Sequence, residues 1–192
     1  MVIGSVGAPG SGKTTTAARV FAVLKEQGIP SEFIPEQARW YIAAERLNRG
    51  LPPGEPVVLT DQDQLHIMLQ QLDAEELMLK SVGKHAVLVT DSSALNALLY
   101  MSPAGIARAE ELGYIDQALE HYDALFTFPL VSVFPTALDP NRVHTHEQAT
   151  EIDARVMQTM EDWAPGVPII ASEGSIAARA TAVLEYVHWL RG

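Results

Sequence analysis

Gly7-Ala8-Pro9-Gly10-Ser11-Gly12-Lys13-Thr14 is the stretch on which the reading of this chain turns. It fits the spacing G-x-x-x-x-G-K-[ST], and each residue type in it has a physical purpose. Gly7, Gly10 and Gly12 let the backbone curl so that successive N–H groups point inward as an anion nest. Ser11 lies within the same curl. A helix that starts at the end of the loop adds about half a positive charge at the same spot. Lys13 is a mobile cation for the outer phosphates. The Thr14 hydroxyl is placed to ligate Mg²⁺, and Thr15 extends the hydroxyl run or serves as an ordinary early-helix side chain. The apolar segment 2–6 before the loop reads as a strand, and 13–27 after it reads as a helix ended by Gly28 and Pro30. Strand, glycine loop, helix is the context a triphosphate-binding loop requires.

Outward from the loop, the alternation continues. Residues 31–35, 86–90, 124–128 and 167–171 read as further strands. Helices are expected over 36–48, from Thr60 to about 80, over 93–101, 104–121, 147–163 and 175–190. Strands alternating with helices predict a doubly wound parallel sheet of about five strands, covered by helices on both faces. The proline-rich stretch from Arg49 to Pro56 is too short to separate a pair of domains and reads as a surface loop, so 1–192 is expected to be a single domain.

Composition narrows the function. The chain has 192 residues, 47% of them apolar, 24 Asp plus Glu against 13 Lys plus Arg, and a net charge of −11. Such an acidic protein does not grip a phosphate backbone with its whole surface, although a small basic pocket for one phosphorylated ligand remains compatible. There is no cysteine, which excludes disulfides, thiolate zinc sites and cysteine nucleophiles. No apolar run approaches the length that spans a bilayer, and the amino terminus lacks a signal-peptide pattern. The expectation is a cytoplasmic protein with no membrane partner.

A second site must decide what happens to the triphosphate. Val87-Leu88-Val89-Thr90-Asp91 is an apolar strand ending in an acid, which places Asp91 beside the phosphates as a Mg²⁺ ligand or a proton acceptor. The alternative for Asp91 is an N-cap of the next helix. Motor ATPases usually carry Glu after this Asp, whereas this chain has Ser92, and guanine-reading motifs are missing. Transfer of phosphate to a bound acceptor is therefore favoured over transfer to water. Glu36 and Arg39 follow the second strand at the crevice end of such a sheet, suited to an acceptor hydroxyl and to an acceptor or phosphate group. Trp40 and Tyr41 are candidates for lining the acceptor pocket or for core packing. Residues from about 135 to 147 form a lid-like segment in which Arg142 is the lone Arg or Lys between positions 109 and 154, available to offset charge on the moving phosphoryl group. His144 and His146 read as exposed loop histidines, Asp61 and Asp63 as helix-start acids, and Glu75-Glu76 and Glu110-Glu111 as solvated faces. Ser172 and Ser175 are expected near the adenine or as a cap of the last helix.

The loop at 7–14, Glu36-x-x-Arg39, the strand ending in Asp91 and the run from Arg142 through Thr145, Glu147, Gln148 and Ala149 to Ile152-Asp153 together resemble the small single-domain P-loop kinases. The nearest type is the ribosylnicotinamide-kinase-like ATPase domain of bacteria and bacteriophages. The resemblance implies ATP and Mg²⁺, a five-stranded parallel core, and phosphorylation of a hydroxyl on a nucleoside- or nucleotide-like acceptor. It also brings in phage enzymes that phosphorylate hydroxymethylated pyrimidines in DNA, an acceptor that would need a local positive strip on this acidic protein. An ATP-binding regulatory module with slow hydrolysis is the reading from a different class.

Overall fold

The computed structural model describes residues 1–130 and 144–192. The strands are β1 (Val2–Val6), β2 (Ser31–Ile34), β3 (Val87–Thr90), β4 (Ala124–Thr127) and β5 (Ile169–Ala171), all parallel, in the order β2-β3-β1-β4-β5. The helices are α1 (Lys13–Glu26), α2 (Gln37–Asn48), α3 (Asp61–Val82), α4 (Pro103–Glu111), α5 (Tyr114–His121), α6 (His146–Trp163) and α7 (Ile176–Arg191), with a 3₁₀ segment at Ala94–Tyr100.

The period-two alternation of a strand sends neighbouring side chains to opposite faces. In β1, Val2 and Val6 join Leu88 of β3 and Leu125 of β4 on one face, beneath Met68 and Leu72 of α3 and Val156 and Met160 of α6. Ile3, Val89 and Phe126 point the other way, onto Val20 and Leu24 of α1 and Val183 and Val187 of α7. Each such side chain, fully buried, contributes roughly 1.5–3 kcal/mol, and the two helical layers hold the sheet between them.

Two helices differ from the sequence expectation. The segment 93–101 is a 3₁₀ helix, begun at Ser93 and closed by extended backbone at Met101 and Ser102. Pro103 disfavours helical backbone at the residue before it, so the segment ends before a regular α-helix has room to develop. The stretch 104–121 is two helices, separated at Gly113, whose φ of 73° starts a new direction.

Gly4 brings the functional ends together. A Cβ there would lie 3.0 Å from Ser93 Cβ and 3.2 Å from Thr90 Cγ2. Its bare backbone lets the chain after β3 cross over β1, where Ser93 N donates to Ser5 O at 2.8 Å and the Ser5 hydroxyl donates to Asp91 O. The loops after β1, β2 and β3 thus share one crevice, at the side of β1 where successive connections diverge in opposite directions.

Candidate functional site

The glycine loop leaves β1 and enters α1 without any side chain capping the helix. Gly12 is the N-cap in the left-handed region, φ 91°, a conformation open to glycine at little cost. Helix-start residues Gly12, Lys13, Thr14 and Thr15 face a cavity of about 540 Å³, as do Pro9 and Gly10. Lys13 is buried, and its Nζ donates to Gly7 O at 2.8 Å and Ala8 O at 2.9 Å. The ammonium is therefore folded across the loop, beside the first turn of α1. Gly7 and Ser11 lie behind the cavity wall: Gly7 N donates to Asn96 Oδ1 at 3.0 Å, and Ser11 is fully buried.

Asp91 sits directly after β3, with its backbone N donating to Ile34 O at 2.9 Å. It is 2% exposed. It does not cap the next element, whose N-cap position is Ser93. Burial raises its pKa to about 6, with the charge of Glu36 adding to the rise; a Thr14 hydrogen bond and the charges of Lys13 and Arg39 act against it. Asp91 Oδ1 has no hydrogen-bond partner among the described residues. A buried carboxylate oxygen left unpaired, with a threonine hydroxyl bonded to the same side chain, is a donor set that suits a hard divalent cation. Thr14 and Asp91 are the residues that fit Mg²⁺ here.

Glu36 occupies the N-cap position of α2 without a side-chain capping bond, and lines the same cavity with Arg39. Arg39 Nε donates to Glu36 Oε2 at 3.1 Å, so the i,i+3 pairing and the place in the cavity wall coexist. The remaining wall is apolar at Ile42, Val57, Leu59 and Ile67, with the amides of Gln64 and Gln71 among them. Trp40 is 67% exposed and lies outside the lining. Tyr41 is also outside it; its hydroxyl donates to Asp63 Oδ1 at 2.5 Å. Asp63 is a helix-start acid as expected, completing a capping box with Thr60. Ser175 caps α7 by accepting from Ala178 N at 3.3 Å. Arg142 lies outside the described residues.

Two expectations are corrected. His144 is not an exposed loop histidine: it is half-buried, lines the cavity, and its ring lies 5.5 Å from that of Tyr100. Burial and the charge of Lys13 lower its pKa, while Glu36 raises it. Glu75 is not on a solvated face: it is fully buried under β3.

Sequence reasoning missed three groups. Asn96 anchors Gly7, as described. Arg179 of α7 is 1% exposed; its guanidinium donates to Ser11 O at 2.5 Å, Pro129 O at 3.1 Å and Gly174 O at 3.0 Å, and lies 5.4 Å from the centre of the Phe128 ring. It fastens the back of the glycine loop to two other loops. Gln71 and Glu75 form the third group. Their signal was present, since Gln64, Met68, Gln71 and Glu75 recur at helical spacing on the apolar side of α3. Likewise Arg179 interrupts the inward stripe of Ala180, Val183 and Val187.

The fold has solved counterparts. A NadR protein bound to NR aligns with a TM-score of 0.71 at 18% identity, over 97% of this chain and 50% of that one. Thymidylate kinase from Candida albicans aligns with a TM-score of 0.59 at 17% identity, over 99% and 92%. Deoxyadenosine kinase from M. mycoides, with products dCMP and dCDP, aligns with a TM-score of 0.61 at 12% identity, over 99% and 100%. The chain spans about half the length of the NadR chains. At these identities the likeness shows the fold alone, a five-stranded parallel sheet flanked by helices. No curated protein sequence matches. A family model described as an AAA domain does match, over residues 3–179, and with the glycine loop, the acid after β3 and the parallel sheet all in place within that span, the chain belongs to this AAA domain family.

Proposed function

We propose that the protein is an ATP- and Mg²⁺-dependent kinase that moves the γ-phosphate to a hydroxyl of a nucleoside- or nucleotide-like acceptor. The observation that carries this reading is the single cavity shared by the glycine loop and by Glu36, Arg39 and an apolar wall. A site for hydrolysis needs room for one water beside the γ-phosphate. The cavity of about 540 Å³ continues past the loop between Ile42, Val57, Leu59 and Ile67, and its size is that of pockets that enclose an organic ligand rather than one water. The apolar walls suit a planar ring, and the Gln64 amide supplies both a donor and an acceptor.

In this reading the backbone of Gly10–Thr14 and the Lys13 ammonium hold the β- and γ-phosphates. Thr14 and Asp91 would hold Mg²⁺, which would supply positive charge against the phosphates. Asp91 takes the acceptor proton, with Glu36 as the next candidate. As the acceptor O–P bond forms and the bond to the β-phosphate oxygen breaks, the proton passes to the carboxylate and ADP leaves. Arg39, and Arg142 from the lid-like segment, offset the charge on the moving group. The AAA domain match supports a second reading, an ATP-binding regulatory module. Ser92 after Asp91 gives that reading no water-activating carboxylate at the adjacent position.

A screen with γ-labelled ATP tests the proposal. Nucleosides, nucleotides, nicotinamide riboside and hydroxymethylated DNA are offered in parallel. The kinase reading expects label on a small acceptor. Label on polymer would assign the acceptor to DNA, and phosphate release that no acceptor stimulates would favour the regulatory module.

A further inference from the structure

The most heavily bonded buried acid in the described chain has no role in the chemistry above. Glu75 projects from α3 and is 0% exposed. Its Oε1 accepts from Gln71 Nε2 at 2.7 Å and from the Thr90 hydroxyl at 2.7 Å. Its Oε2 accepts from the Tyr122 hydroxyl at 2.7 Å and lies 3.1 Å from His121 Nε2. A buried carboxylate carries a large desolvation cost unless polar partners surround it, and here Gln71, Thr90, Tyr122 and His121 do.

Three of those partners continue to the wall of the candidate site. Thr90 is the residue before Asp91. Gln71 Oε1 accepts from Gln37 N at 2.9 Å, which fixes the first turn of α2 directly after Glu36. The Tyr122 hydroxyl accepts from Ala94 N at 2.7 Å, which fixes the start of the 3₁₀ segment at the cavity. Gln71 Nε2 also donates to the Thr90 hydroxyl at 2.9 Å. One carboxylate therefore ties together the three segments that present Asp91, Glu36 and Ala94. None of these bonds ends on the glycine loop, whose own tie to the 3₁₀ segment is the separate bond from Gly7 N to Asn96 Oδ1.

We infer that Glu75 is a positioning residue for the acceptor half of the site: it sets the mutual placement of Asp91 and Glu36 and bonds no residue of the glycine loop. The inference rests on the kinase reading for its kinetic consequence, and on the hydrogen bonds alone for its structural one. A purely packing role would instead weaken both halves together as the fold loosens.

The test compares Glu75→Gln with Leu72→Ala, a core truncation one turn away on the same helix at a side chain that bonds to none of these partners. Glu75→Gln keeps the volume but turns one acceptor into a donor facing other donors. Its expected transfer rate falls about 10²-fold, the scale of loss from small misplacements of reacting groups. Its dissociation constant for an ATP analogue stays within about threefold of wild type, because the transition-state loss leaves donor binding intact. Leu72→Ala lowers the melting temperature at least as much yet keeps most of its transfer rate. Where Glu75→Gln does not fold, Gln71→Met, which cuts the links to Gln37 and Thr90, is expected to show the same split to a smaller degree. A rate near wild type, a rate loss no larger than that of Leu72→Ala, or ATP affinity lost in step with rate would overturn the inference. If the wild-type protein phosphorylates no acceptor, the kinase reading falls on its own. Amide exchange then tests the positioning: faster exchange at Gln37 and Ala94 in Glu75→Gln sustains it, and unchanged exchange at both overturns it.

Discussion

The donor half and the acceptor half of this site are built in opposite ways. In the proposed kinase the donor half is one contiguous loop whose backbone amides would do the binding, set by glycines at fixed spacing and fastened from behind by Asn96 and Arg179. The acceptor half is a set of side chains from α2, α3, the end of β3 and the 3₁₀ segment, held by a buried polar network. A backbone site tolerates changes elsewhere as long as the loop keeps its shape. A side-chain site inherits every shift in the elements that carry it.

That contrast can be broken most severely at Lys13. Lys13→Ala should lower phosphoryl transfer by about 10³-fold, the upper range for removing one preorganised charge, while acceptor affinity measured in the absence of ATP stays unchanged. Loss of acceptor affinity in this variant would mean that the two halves are not separate. Asp91→Asn comes next, with kcat down about 10²-fold or more and ATP still bound. If Glu36→Gln shows the larger loss, the general base is Glu36.

Asp91 also sharpens the comparison through pH. Its pKa in the fold is about 6, against 3.8 for the ordinary group. The native state therefore holds this proton more tightly than the unfolded chain between those values, and the stability of the nucleotide-free protein falls as pH rises through the window. Above it the full penalty remains. Asp91→Asn should stabilise the nucleotide-free protein at neutral pH by about 1–3 kcal/mol, seen as a higher melting temperature that disappears near pH 4.

Much of the fold was legible in the chain because its signals are local. Five apolar strands, their helices and the glycine loop announce themselves through periodicity and turn chemistry. The break at Gly113 and the 3₁₀ segment escaped, since both depend on how Gly113 and Pro103 redirect a run that otherwise has helical spacing. The site divided along the same line. Gly7–Thr14 and Asp91 sit beside a recognisable strand, so their place could be read. Gln71, Glu75 and Arg179 are polar residues on inward faces of helices, and their partners lie far along the chain, 15 positions away for Glu75–Thr90 and 168 for Arg179–Ser11. Their helical spacing marks them as inward-facing, but no local pattern names those distant partners. His144 was misread for a related reason: its setting is made by Tyr100, Lys13 and Glu36, none of them near it in sequence.

Gly4→Ala probes the junction between the halves with a smaller effect. The added Cβ, 3.0 Å from Ser93 Cβ, should cost about 1–3 kcal/mol as an overpacking change, read by denaturant unfolding, with Asp91 displaced more than the glycine loop. At the far end of the scale, Arg108→Ala breaks an exposed pair with Glu111. It should change stability by less than about 1 kcal/mol and leave both halves untouched.

The most direct test of the whole account is a crystal structure with a non-hydrolysable ATP analogue and Mg²⁺. The account predicts the triphosphate inside the curl of residues 7–14, Lys13 turned from its carbonyl partners onto the phosphates, and the γ-phosphate directed at the space between Asp91 and Glu36. A nucleotide bound outside that curl, or a γ-phosphate pointing away from both carboxylates, would contradict it.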